Sequence, residues 1–230
     1  MQPFTVSDVA IQLKPGFLQP RELLDAANKI SYPEFPGLTR HFLIEGTPFV
    51  FINTPMLFEA IRTWLASRLG VNALEIKLIG SARTGYSLAG STDFGKPFGP
   101  HSDLDLLVVS SPLFIACREA FHQWSSDFKS SKVSPGNPGE SAYWSENLRV
   151  VSDTLTRGFI DPNKIPNRDL YPIAQQISQT MWLLKAKLDL TRTGPSIRKA
   201  TIRVYDSWHH FHRQVLISFK HAAISAANGC

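Results

Sequence analysis

IKLIGSARTGYSLAGSTDFGKPFGPHSDLDLLVV, residues 76–109, decides how the rest of the chain is read. It opens on an apolar run, residues 76–79, short enough for a buried strand. The run stops at Gly80-Ser81, and the loop beyond carries Arg83 and Gly85. Ser102-Asp103-Leu104-Asp105 then leads into a second apolar run, residues 106–109. Asp103 and Asp105 are two apart, so on a strand both side chains leave the same face. Carboxylates held that close repel each other and need a shared proton or a cation between them. A hard divalent ion suits the pair, because Mg²⁺ takes oxygen ligands and few protein groups. Gly80 allows a tight turn whose N–H groups can cradle a phosphate. Ser81 adds a hydroxyl, and Arg83 adds a cation suited to bidentate phosphate contact. The pattern predicts a site for a nucleotide polyphosphate and a metal.

These residues resemble the signature of the DNA polymerase beta-like nucleotidyltransferase superfamily, a Gly-Ser after one strand and an Asp-x-Asp on the next. The match covers this stretch alone. The resemblance implies an α+β fold, a small mixed sheet flanked by helices, with a helical C-terminal extension. It implies that Gly80 and Ser81 grip the triphosphate of an NTP, with Arg83 beside them. It also implies that Asp103 and Asp105 are catalytic and hold Mg²⁺ (or Mn²⁺), and that pyrophosphate leaves. The acceptor stays open among an RNA end, a protein hydroxyl and a second nucleotide. The alternative is a degenerate member that binds nucleotide or nucleic acid without turnover. By the same resemblance, small bacterial members in toxin–antitoxin and phage-defence systems look like the nearest company. There are two departures. The loop over residues 86–101 is longer than the superfamily's usual compact version, and the third carboxylate, usually on a later strand, is not evident. Asp161 and Asp206 are the candidates for it.

Composition is ordinary for a folded chain, with 43% hydrophobic and 19% charged residues. No apolar run approaches the ~20 residues of a membrane span, and the N-terminus lacks a basic region followed by an apolar core. Cys117 and Cys230 form no metal-ligand spacing and suit a reducing, cytoplasmic setting. A formal net charge of +5 permits a nucleic-acid or nucleotide partner without demanding one.

Three parts are expected: residues 1–55 as a helix and hairpin cover, 56–165 as the core, and 166–230 as a mostly helical part packed on it. Gln19-Pro20-Arg21-Glu22 reads as a helix start, followed by Leu23, Leu24, Ala27 and Ile30 at helical spacing. Residues 32–37 read as a turn-rich connector, and 40–44 with 49–52 as a β-hairpin. Residues 56–69 predict a helix stopped by Gly70. The long glycine- and proline-bearing loop reads as a mobile cover over the nucleotide, with Lys96 as a phosphate contact. Helices are expected over 112–128, 143–157 and 173–190, with 130–140 as a loop. Residues 200–205 alternate as a strand, placing Thr201, Arg203 and Tyr205 on one face. Asp206 reads as the N-cap of a final helix. Three histidines at 209, 210 and 212 do not share one helix face, which argues against zinc there. Arg192, Arg198, Lys199 and Arg203 form a basic cluster that suits an RNA end, a triphosphate or simply a solvated face.

Overall fold

The structure, a computed structural model, describes residues 3–227. The helices are α1 Asp8–Ile11, α2 Pro20–Lys29, α3 Phe35–Leu43, α4 Pro55–Leu69, α5 Ser81–Thr84, α6 Gly90–Asp93, α7 Ser111–Lys129, α8 Pro138–Thr156, α9 Pro172–Leu190 and α10 Trp208–Ala227. The strands are β1 Ile76–Ile79, β2 Leu104–Val109, β3 Phe159–Ile160 and β4 Ala200–Tyr205. They form one mixed sheet in the order β1-β2-β4-β3. β1 and β3 run antiparallel to their neighbours, while β2 and β4 are parallel. The fold is therefore α+β. β4, from the segment expected to pack on the core from outside, lies inside the sheet between β2 and β3.

Alternation along the strands sorts the sheet into two faces. Leu78, Leu104, Leu106, Ile202 and Val204 point to one side, where they join a core with Phe58 and Leu65 of α4, Trp124 of α7, Trp144 of α8 and Ile177 of α9. Leu107, Val109, Tyr205 and Phe159 point to the other, against Leu23 of α2, Phe42 of α3 and Phe211 of α10. Asp105, Thr201 and Arg203 share this second side by the same alternation.

Local chemistry explains the helix ends. α2 begins with Pro20 behind a Gln19–Glu22 capping box. α4 stops where Gly70 adopts φ 66°, a left-handed conformation that a glycine reaches without strain. α8 starts at Pro138, earlier than the expected loop end, because Asn137 caps it through the Glu140 N–H. α10 is capped by Ser207, whose hydroxyl accepts from the His210 N–H at 3.3 Å, and not by Asp206.

The expected hairpin does not form. Residues 35–43 are helix α3 and Phe49–Phe51 is a 3-10 turn. Phe35, Leu38 and Phe42 recur at helical spacing and are buried together, and this tertiary packing overrides the strand-like composition of a short run. Among the described residues no helix is long and apolar enough to cross a membrane.

Candidate functional site

The antiparallel register of β1 and β2 places Ile79 opposite Asp105. Gly80, the next residue, therefore turns away beside that carboxylate. It adopts φ 65° and ψ −154°, a region open essentially to glycine alone. A Cβ there would also stand 3.3 Å from Asp105 Oδ2. Glycine is thus required twice, by its own backbone and by its neighbour. Ser81 follows as the first residue of α5, and its side chain is half-buried.

Gly80, Ser81 and Asp105 share the wall of a cavity of about 610 Å³ with Arg203, Tyr205 and Gln214. Such a volume holds a small-molecule ligand. The loop over residues 86–101 contributes Ser87, Leu88 and Ala89 to this wall. The loop is tied down by its own backbone. Tyr86 bridges Pro97, the Ser87 N–H donates to the Lys96 carbonyl at 2.8 Å, and the Phe98 N–H donates to the Gly85 carbonyl at 2.8 Å. Lys96 lies outside the wall and pairs with Asp93.

Asp103 and Asp105 differ in their surroundings. Asp103 is gripped by Arg198, with Nε to Oδ1 and Nη2 to Oδ2 each 2.8 Å, and Lys199 Nζ lies 3.7 Å from Oδ2. Arg198 holds its pKa below the ordinary carboxylate value. Asp105 is pushed the other way. Desolvation raises its pKa and the Asp103 charge adds to that, while the Thr201 hydroxyl, donating to Oδ1 at 2.5 Å, works against them.

Thr201 stands opposite Asp105 on β4, and Arg203 stands opposite Leu107. No carboxylate occurs on β4. Arg203 donates from Nε to Asp161 Oδ1 at 2.8 Å, and its guanidinium sits 4.9 Å from the Phe159 ring centroid. Burial disfavours its charge, but Asp161 more than offsets this, and its pKa lies above the ordinary arginine value. Asp161 is therefore separated from Asp105 by β4 and committed to Arg203. Asp206 lies at the far end of β4, with Oδ1 2.6 Å from His210 Nδ1. Neither candidate joins the aspartate pair.

Arg83 takes a place the sequence did not suggest. It is 5% exposed and donates to the carbonyls of His41 and Thr47 at 3.3 and 3.1 Å, and to that of Glu45. It closes the C-terminal end of α3 and the loop after it, and it is not among the residues that line the cavity. Among the described residues, Arg203 brings a guanidinium to that wall. Its alternation with Thr201 and Tyr205 was the only sequence signal for its orientation.

Asp105 lines the cavity while Asp103 stands outside its wall against Arg198 and Lys199; two carboxylates two residues apart beside a hydroxyl have the oxygen-donor chemistry that Mg²⁺ or Mn²⁺ takes, with its remaining oxygens from substrate and water. The Arg198 guanidinium now stands against Asp103 as a cation would. Among the described residues no group of three or more His, Cys, Asp or Glu is placed to hold a metal, so protein ligands alone are few. A divalent ion there would need most of its ligands from substrate and water.

Comparison with known proteins adds nothing to these residues: no family model matches the chain, and no curated protein or solved structure is significantly similar to it.

Proposed function

We propose that the chain is a metal-dependent nucleotidyltransferase of the DNA polymerase beta-like type, moving a nucleoside monophosphate from an NTP to a hydroxyl. The observation that carries this reading is the register Ile79 to Asp105, which sets the Gly80-Ser81 turn beside the second aspartate of the motif. Gly80 and Ser81 line the side of the cavity that would face the triphosphate. Arg203, held by Asp161, meets its negative charge. Asp103 and Asp105 would hold Mg²⁺ or Mn²⁺, which when bound lowers the pKa of the acceptor hydroxyl and neutralises charge on the leaving group. The acceptor oxygen forms a bond to the α-phosphorus, the α–β phosphoanhydride bond breaks, and pyrophosphate departs.

A second reading is a nucleotide-binding protein of the same type without turnover. It is favoured by Thr201 and Arg203 on the strand where a third carboxylate would stand, and by Arg198 on Asp103. Incubation with each α-labelled NTP, Mg²⁺ or Mn²⁺ and total RNA separates the two. Label passing to RNA, protein or a new small nucleotide supports transfer. NTP binding without any transfer supports the second reading.

A further inference from the structure

The cavity wall combines two chemistries. Gly80, Ser81, Asp105 and Arg203, from the strands and the turn after β1, make a polar part. α10 supplies much of the rest, through Phe211, Gln214, Val215, Ser218 and Phe219. Spacings of three and four place these side chains on one helix face. Phe211 is fully buried against Tyr205 of β4, with ring centroids 5.1 Å apart, and this contact holds that face over the sheet. Leu43 of α3 and Leu88 stand in the same wall and, with Val215, belong to the apolar packing on this side of the sheet.

Gln214 is a half-buried amide beside these apolar side chains. Its Nε2 donates to the Ser218 hydroxyl at 3.3 Å. Among the described residues the amide makes this one hydrogen bond, so its oxygen and its second N–H stay free. An apolar wall bearing a few fixed polar groups is the arrangement that orients a small aromatic ligand. One acceptor beside one donor is the pattern that pairs with the amino group and N7 of adenine, whereas guanine offers two acceptors, O6 and N7, on the same edge.

Resting on the nucleotide-site reading above, we propose that α10 seats the base of the NTP and that Gln214 selects adenine. The ring lies on Leu43, Leu88 and Val215. Its amino group donates to Gln214 Oε1 and its N7 accepts from Nε2, while the triphosphate runs to Gly80 and Ser81.

The test is isothermal titration, with Mn²⁺ present, of the α,β-methylene analogues of ATP, CTP, GTP and UTP and of inorganic tripolyphosphate. The wild type is expected to bind the ATP analogue about tenfold or more tightly than the others, the discrimination of one good bidentate pair. Gln214→Leu, shown folded by its melting transition, should weaken the ATP analogue about tenfold or more and level the four bases. Its affinity for tripolyphosphate should match that of the wild type. Equal binding of the four analogues by the wild type, or a preference for CTP, GTP or UTP, would overturn the assignment to adenine. So would an adenine preference kept in Gln214→Leu, or a loss of tripolyphosphate binding as large as that of the ATP analogue. Failure of the wild type to bind any analogue would instead overturn the nucleotide-site reading itself.

Discussion

Arg198 grips Asp103 through both carboxylate oxygens at 2.8 Å, closing one half of the aspartate pair with a guanidinium. Asp105, two residues on, keeps Oδ2 toward the Gly80 turn. The pair is thus asymmetric, and a divalent ion must displace Arg198 to use both carboxylates. Arg198→Gln should therefore bind Mn²⁺ severalfold more tightly than the wild type, as titrated by electron paramagnetic resonance. Because Arg198 is an exposed partner, its loss should leave the melting temperature nearly unchanged. Weaker Mn²⁺ binding in the variant would mean that Arg198 supports the site.

Asp105 has a raised pKa, and the sign of its contribution follows. The folded state holds the proton more tightly than the unfolded chain, so ionising Asp105 costs stability as pH rises through its folded value. The cost is absent at pH values below the unfolded pKa. Asp105→Asn should therefore raise the melting temperature at neutral pH, or leave it unchanged, while transfer falls by orders of magnitude. A cooperative fold with unchanged turnover would remove Asp105 from the mechanism.

The Thr201 hydroxyl is the hydrogen bond that lowers the Asp105 pKa, with the Arg203 and Lys199 charges acting the same way. Thr201→Val removes it at nearly constant shape. The acid limb of the pH–rate profile should move to higher pH, with the fold intact. A limb that does not move would separate this contact from the titration of the active form.

Gly80→Ala meets two obstacles, a glycine-only backbone region and Asp105 Oδ2 at 3.3 Å from the new Cβ. It should cost about 1–3 kcal/mol of stability, measured by urea unfolding, and weaken NTP binding in the folded fraction. A neutral substitution would show that the turn can relax.

Arg83→Met tests a residue that the sequence and the structure place differently. It leaves the carbonyls of His41, Glu45 and Thr47 without their donor. A loss of about 1–3 kcal/mol is expected, with the NTP affinity of the folded protein unaltered. Lost affinity at full stability would return Arg83 to the phosphate.

The strand pair was legible because its apolar runs are bounded by Gly80-Ser81 and by Asp103-Leu104-Asp105, and because period-2 spacing fixes which side chains share a face. The same rule placed Thr201, Arg203 and Tyr205 together. It could not say that β4 lies beside β2, since register between distant strands is written in neither strand. Nor could it show that Arg203, and not Arg83, faces the cavity. Arg83 is drawn to carbonyls at the end of α3, and α3 itself read as half of a hairpin. The run over residues 40–44, at its C-terminal end, is too short for the strand and helix periods to be told apart. The aspartate pair was visible in the sequence, while Arg198 across from it was one of four basic residues with no assigned partner.

Isothermal titration with the α,β-methylene analogues of the four NTPs, with and without Mn²⁺, addresses the central claim most directly. It should be run on the wild type, Asp103→Asn and Asp105→Asn. The account predicts that at least one analogue binds the wild type only with Mn²⁺ present, and that each variant weakens this binding tenfold or more while remaining folded, an order of magnitude expected for loss of a charge-assisted contact. Binding that ignores Mn²⁺ and both substitutions, or no binding by the wild type, would contradict it.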